Sequence, residues 1–275
     1  MNIDHALMTF GLAGYALSAM IYLMAFPRLR KRKMGLSYLA FGIFSLATLA
    51  MSTSLASAYL CLTGPDCAHA PVSGIMLTTA ISWFTILAYF VFDMRILGAF
   101  VAPVATLILF IQFFTIKAPL PSHTSVAPDA FIMFHIAAAV IGEAFAICAC
   151  AVAVLYLLQQ RVIKTKQLNL LTALAPSLDK LDLAMFVCLW AGFAFLTVGL
   201  VTGAASAMLF KGGSRGGLEW KILWAMAVWG WYLAILLAKN IYAFHGRRIA
   251  RMSLVGFVIL AVSFFGLYPW GTNLP

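Results

Sequence analysis

The sequence predicts an all-α, polytopic integral membrane protein. Eight transmembrane helices form a single domain over residues 1–275, with both termini on the outer (extracytoplasmic) side. Three observations carry that prediction. The chain is 64 % hydrophobic and only 9 % charged, with a mean hydropathy of +1.01, whereas a soluble domain carries about 25 % charged residues. Eight apolar runs are long enough to cross a bilayer core of about 30 Å, which takes about 20 helical residues. The basic residues collect on one side of those runs.

The runs lie near 5–26, 36–60, 73–93, 96–116, 130–158, 183–210, 219–239 and 251–269. The first starts at His5, lacks a basic n-region, is too long for a signal-peptide core and ends at a basic stop, so it is expected as a retained helix. Only Asp93-Met94-Arg95 separates the third run from the fourth, which predicts a tight hairpin. No soluble domain fits between any pair of runs. The weak likeness of "SAMIYLMAFPR" to "AVAVLYLLQQR" does not make a repeat.

Charge sets the orientation. The loops after helices one, three, five and seven hold Arg28, Arg30, Lys31, Arg32 and Lys33; Arg95; Arg161, Lys164, Lys166 and Lys180; and Lys239, Arg247, Arg248 and Arg251. The other side holds only Lys117, Lys211, Arg215 and Lys221. The positive-inside rule places the basic loops in the cytoplasm, as expected for a bacterial cytoplasmic (inner) membrane protein. The net charge of +10 is therefore a topology signal, and no nucleic acid partner is expected. The bilayer is the first partner. On the outer side lie His5, the loop "CLTGPDCAHAP" with Cys61, Cys67 and His69, the loop "KAPLPSHTSVAPD" with His123, and "KGGSRGGLEWK". His245 is cytoplasmic.

Few residues offer chemistry. Cys61 and Cys67 are either a disulfide or two thiols beside a helix end. Cys148, Cys150 and Cys188 lie inside helices as small apolar residues, and no cysteine spacing fits zinc or an iron–sulfur cluster. His135, at the outer start of helix five, is either an iron ligand or hydrogen-bond donor, or a histidine satisfied by a neighbouring helix. Glu143, deeper on that helix, is the acidic residue well inside a span, where a carboxylate is costly. It lies roughly 80° around the helix from His135, and is either a functional group or a protonated carboxyl joining helices.

The stretch "GLEWKILWAMAVWGWY" holds four tryptophans. Trp220, Trp224 and Trp231 fall within about 40° of one another on a helix, and Trp229 points the opposite way. Trp220 and Trp224 suit an interfacial belt, but Trp231 is too deep for one. The stripe either packs helices or offers π-faces to a planar ligand. In "GFAFLTVGLVTGAASAML", Gly192, Gly199 and Gly203 with small neighbours allow close approach by another helix or by a flat ligand. "KGGSRGG" adds basic charge for carboxylates.

The order of these features resembles a family. An outward histidine is followed by "LAPSLDKLD", "GFAFLTVGLVTGA", a tryptophan-bearing outer loop, "GRRIARMSLVGF" and "VSFFG", with "LGAFVAPVATL" upstream. Over roughly residues 95–268 the chain resembles the cytochrome c assembly (haem handling) membrane proteins of the CcsA/CcmC group, and is most similar to the eight-helix HemX/YpjD-like members. The resemblance implies haem handling at the outer face, with haem b as cofactor and cytochrome c biogenesis or haem-synthesis proteins as partners. It implies His135 as axial ligand, the metal being held through the haem iron alone. Trp220, Trp224 and Trp231 would stack on the porphyrin, and Lys211, Arg215 and Lys221 would meet its propionates. The family's longer "WGxxWxWDPK" stretch is only "GGLEWKILW" here, and no histidine follows the last helix. His123, His69 or His5 would have to supply a second ligand. No catalytic residue is expected. The alternatives are a HemX-like accessory protein that binds no haem and, lower, a transporter using Glu143.

Overall fold

A computed structural model describes residues 3–25, 34–62, 72–92, 94, 96–115, 130–165, 176–209, 215–242 and 244–267. Eight helices lie among the described residues: α1 Ile3–Ala25, α2 Met34–Leu62, α3 Val72–Phe92, α4 Leu97–Thr115, α5 Ala130–Lys164, α6 Leu178–Leu209, α7 Arg215–Asn240 and α8 Arg247–Leu267. Six of them, α1, α2, α3, α5, α6 and α7, are long and apolar enough to cross a membrane. The described apolar part of α4 is shorter, Leu97–Ile111, and α8 opens on three arginines.

Several helices outrun their apolar stretches at the basic end. α5 continues to Lys164 and α6 begins at Leu178, whereas hydropathy alone ends the first near 158 and starts the second near 183. The added turns are polar and lie where a helix can leave the apolar layer. Ser177 starts α6, its Oγ accepting from Lys180 N–H at 3.4 Å and its carbonyl from Leu181 N–H at 3.1 Å. Asp179 then sits in a first turn, where a carboxylate favours the helix dipole.

The chain forms two compact units, Met1–Ala127 with Gln159–Pro176, and Pro128–Leu158 with Ser177–Pro275. In the first, α1 packs closely on α2, because a Cβ on Gly14 would sit 2.8 Å from that of Ala47. With no water in a bilayer core, polar groups must be satisfied within the protein. Ser18 Oγ accordingly donates to the Ala40 carbonyl at 2.9 Å, and Tyr15 OH to Thr48 Oγ1 at 3.3 Å. Trp83 Nε1 donates to Ser52 Oγ at 2.9 Å, and Phe41 stacks on Tyr89 with centroids 4.1 Å apart. The α3–α4 hairpin closes through Leu97 N–H to the Met94 carbonyl at 3.1 Å.

In the second unit α5 lies against α6, with Ala139 beneath Gly199 and Leu196 against Gly142. α7 joins α6 through Trp229, whose Nε1 donates to Thr197 Oγ1 at 2.9 Å and whose ring packs on Phe193. α8 joins α7 through Trp231, whose Nε1 donates to the Met252 carbonyl at 3.1 Å, while Gly256 makes room for its ring.

Candidate functional site

His135 sits in the second turn of α5, and a neighbouring helix does satisfy it, in a specific way. Its Nδ1 lies 2.8 Å from the Gly199 carbonyl oxygen and 3.3 Å from Thr202 Oγ1. A carbonyl only accepts, so Nδ1 carries a proton, and in the neutral ring the lone pair is then on Nε2. The hydroxyl of Thr202 is itself spent as a donor, to Val198 O at 2.8 Å and Gly199 O at 3.1 Å.

The imidazole also rests on bare backbone. A Cβ at Gly203 would stand 2.6 Å from His135 Cε1 and 3.1 Å from Nδ1. One turn earlier, a Cβ at Gly199 would come within 3.3 Å of the Ala139 backbone. The small-residue face of "GFAFLTVGLVTGA" is therefore used twice. It lets α5 approach, and it forms a slot for the imidazole.

Such an arrangement fixes one tautomer and one ring orientation, as partners of metal-binding histidines do. Among the described residues no group of three or more His, Cys, Asp and Glu could hold a metal ion. A single imidazole nitrogen is a sufficient protein ligand only for a metal that arrives with most of its coordination filled.

Glu143 lies two turns further along α5, about 12 Å from His135 at 1.5 Å per residue. It is half-buried and forms no ion pair among the described residues, where Lys239–Asp182 is the pair seen. Trp224 has its indole Nε1 buried without a hydrogen-bond partner among the described residues, whereas Trp231 spends its N–H on Met252. Trp220, Arg215 and Lys221 belong to α7, and His5 to α1, with side chains outside the described residues. Lys211, His69 and His123 lie outside the described residues altogether, as does Cys67 of the Cys61–Cys67 pair. Cys148, Cys150 and Cys188 are free thiols.

At the other end of the same unit is a construction that no run of sequence reveals. Lys239 Nζ lies 2.7 Å from Asp182 Oδ2, and Asp182 Oδ1 accepts from Gly246 N–H at 3.2 Å. Lys239 also covers the Phe186 ring at 4.5 Å. Gly246 has φ +61°, a conformation costly for other residues, and the Tyr156 hydroxyl occupies the space a Cβ would need. One carboxylate thus ties the start of α6 to the end of α7 and to the turn before α8. The available signal was one charge at the end of each of two long apolar stretches, since such charges seek one another.

Residues 69–274 match the family described as "Cytochrome C assembly protein". The chain belongs to the cytochrome c assembly protein family. The match takes in α5 and α6, so His135, Gly199 and Gly203 all lie within it. With six helices able to cross a membrane, this family member is a multi-pass membrane protein. Cytochrome c biogenesis protein CcsA of Guillardia theta is 22 % identical over 264 residues, covering 86 % of this chain and 84 % of its own. CcsA of Synechococcus sp. (strain CC9605) is 34 % identical over 96 residues, 35 % of this chain and 31 % of its own. An uncharacterized 28.8 kDa protein of Azospirillum brasilense is 29 % identical over 151 residues, 55 % of each chain. The chain thus spans about half the length of the Azospirillum relative and about a third of the Synechococcus one.

Proposed function

We propose that this family member holds haem b through His135 Nε2 and positions it at the outer face of the bacterial inner membrane for a cytochrome c assembly partner. The observation that carries the reading is the 2.8 Å bond from His135 Nδ1 to the Gly199 carbonyl, which leaves Nε2 as the free lone pair. An iron enclosed in a porphyrin needs one protein nitrogen on a face, and that is what this slot offers. Haem, when bound, supplies the prosthetic group that a cytochrome requires; the chain performs no bond chemistry of its own. Its residues bind and orient. The buried, unpartnered Nε1 of Trp224 suits a group that faces a polar ligand atom, with Trp220 and Trp231 as further stacking candidates. Lys211, Arg215 and Lys221 supply charge for propionates, and His5, His69 or His123 a second ligand. Both termini outside, eight crossings and the cytoplasmic basic loops belong to this reading through the positive-inside rule.

The test is the haem content of the purified full chain, measured as the pyridine haemochrome. Wild type retains haem after incubation and gel filtration, and His135→Ala retains markedly less. Equal retention by the two rules out the ligand assignment.

A second reading is a HemX-like accessory protein acting through its basic end without binding haem. The Asp182 linkage of α6, α7 and the α8 turn favours it by giving that end a fixed shape. If alanine substitutions across "LNLLTALAPSLDKLD" abolish cytochrome maturation in cells while His135→Ala does not, this reading replaces the first.

A further inference from the structure

We propose that the turn between α7 and α8, with the first turns of α8, binds the phosphate of an anionic phospholipid. Arg247, Arg248 and Arg251 are all exposed. At 100° per residue they span an arc of about 100° on α8, so the three guanidiniums share one side. None forms an ion pair among the described residues, and the first turn of α8 contains no acidic residue. The carboxylate that reaches this turn, Asp182, is already committed to Lys239 and to Gly246 N–H.

Three cations at a helix start also face the positive end of the helix dipole. An arrangement of this kind lacks an anion. Guanidinium groups match phosphate through forked hydrogen bonds better than they match a diffuse counter-ion.

The surroundings select a lipid over a free phosphate. Ile241 and Tyr242, just past the end of α7 and five residues or more before Arg247, are each 68 % exposed. Arg248 already lies over the Phe244 ring at 4.7 Å. A soluble anion makes no use of exposed Ile and Tyr side chains, whereas the boundary of a bilayer takes up the apolar part and the headgroup layer the rest. α7 is long and apolar enough to cross a membrane over Ile222–Asn240, and this turn begins where that apolar stretch ends. The Asp182 bonds fix the end of α7 at Lys239 and the start of α8 at Gly246 before any lipid arrives, which lowers the ordering cost of binding.

The experiment uses the full chain in nanodiscs of mixed phosphatidylcholine and phosphatidylglycerol, with retained lipid identified by native mass spectrometry. Wild type retains phosphatidylglycerol preferentially. Each of Arg247→Gln, Arg248→Gln and Arg251→Gln lowers that preference by about fivefold, and Tyr242→Ala lowers the total lipid retained. The comparison pair Arg161→Gln and Lys164→Gln, exposed at the end of α5, leaves it unchanged. An equal loss from that pair means that overall charge alone attracts the lipid, and overturns the site. Displacement by millimolar inorganic phosphate would show a free-anion site and overturn the lipid assignment. Each of these variants leaves Asp182, Lys239 and Gly246 in place, so a loss of lipid preference does not report a loss of the turn's own bonds. None of these readouts involves haem, so they stand or fall apart from the haem reading.

Discussion

His135 on α5 gives its Nδ1 proton to the carbonyl of Gly199 on α6, 2.8 Å away, and its ring lies where a side chain at Gly203 would otherwise be. Two helices thereby set the tautomer and the plane of one imidazole. The first prediction follows from that slot. Gly203→Ala pushes a methyl to within 2.6 Å of Cε1 and turns the ring although the histidine remains. Overpacking of this kind costs about 1–3 kcal/mol. The Soret band in haem titrations should weaken nearly as much as in His135→Ala, and thermal unfolding in detergent should shift downward. A Gly203→Ala protein with wild-type spectrum and stability contradicts the slot.

The tryptophans should separate by partner. Trp231→Phe removes the indole bond to the Met252 carbonyl and should cost about 1 kcal/mol, read as a lower melting temperature. Trp224→Phe removes an indole N–H that has no partner among the described residues, so the ligand-free protein should lose less stability than with Trp231→Phe. With haem added, Trp224→Phe should shift the Soret maximum or weaken binding. An apo-protein destabilised as much in Trp224→Phe as in Trp231→Phe would reveal an apo-state role for that N–H.

Asp182→Ala leaves the Lys239 ammonium, 10 % exposed, without its carboxylate. Removing one partner of a largely buried pair costs about 3 kcal/mol. The double variant Asp182→Ala with Lys239→Met should recover most of the loss, since both charges are gone. Unfolding midpoints of the two singles and the double decide this. Additive losses in the double variant argue against direct coupling.

Gly246→Ala places an L side chain at φ +61° and against the Tyr156 hydroxyl. The backbone cost alone is roughly 1–2 kcal/mol. Tyr156→Phe should relieve the steric part and leave the backbone part. A partial rescue in the melting temperature is therefore expected, and complete rescue would mean that φ carries no strain.

Much of this fold is legible in the sequence because the bilayer imposes length and polarity on each helix. The apolar run near 5–26 is α1 at Ile3–Ala25, and that near 73–93 is α3 at Val72–Phe92. Ends were less legible. Asp179, Lys180 and Asp182 resemble loop residues by hydropathy, yet Ser177 caps them into α6. The opposite directions of Trp229 and Trp231 follow from helical angle, and their separate partners, Thr197 on α6 and Met252 on α8, bear that out. The bond from His135 to Gly199 spans 64 residues and the Asp182–Lys239 pair 57. Periodicity acts within one helix and carries no information on which neighbour lies across from it. The glycines of α6 signalled close approach but not what approaches, and the answer includes the imidazole of His135.

The most direct measurement is a visible spectrum of the purified His135→Gly variant titrated with haem, before and after addition of free imidazole. Wild type should show a strong Soret band, the variant should lose it, and the band should return when imidazole enters the vacated slot. A wild-type protein with no Soret band after haem addition, or a variant that binds haem as wild type does without imidazole, would contradict the ligand assignment.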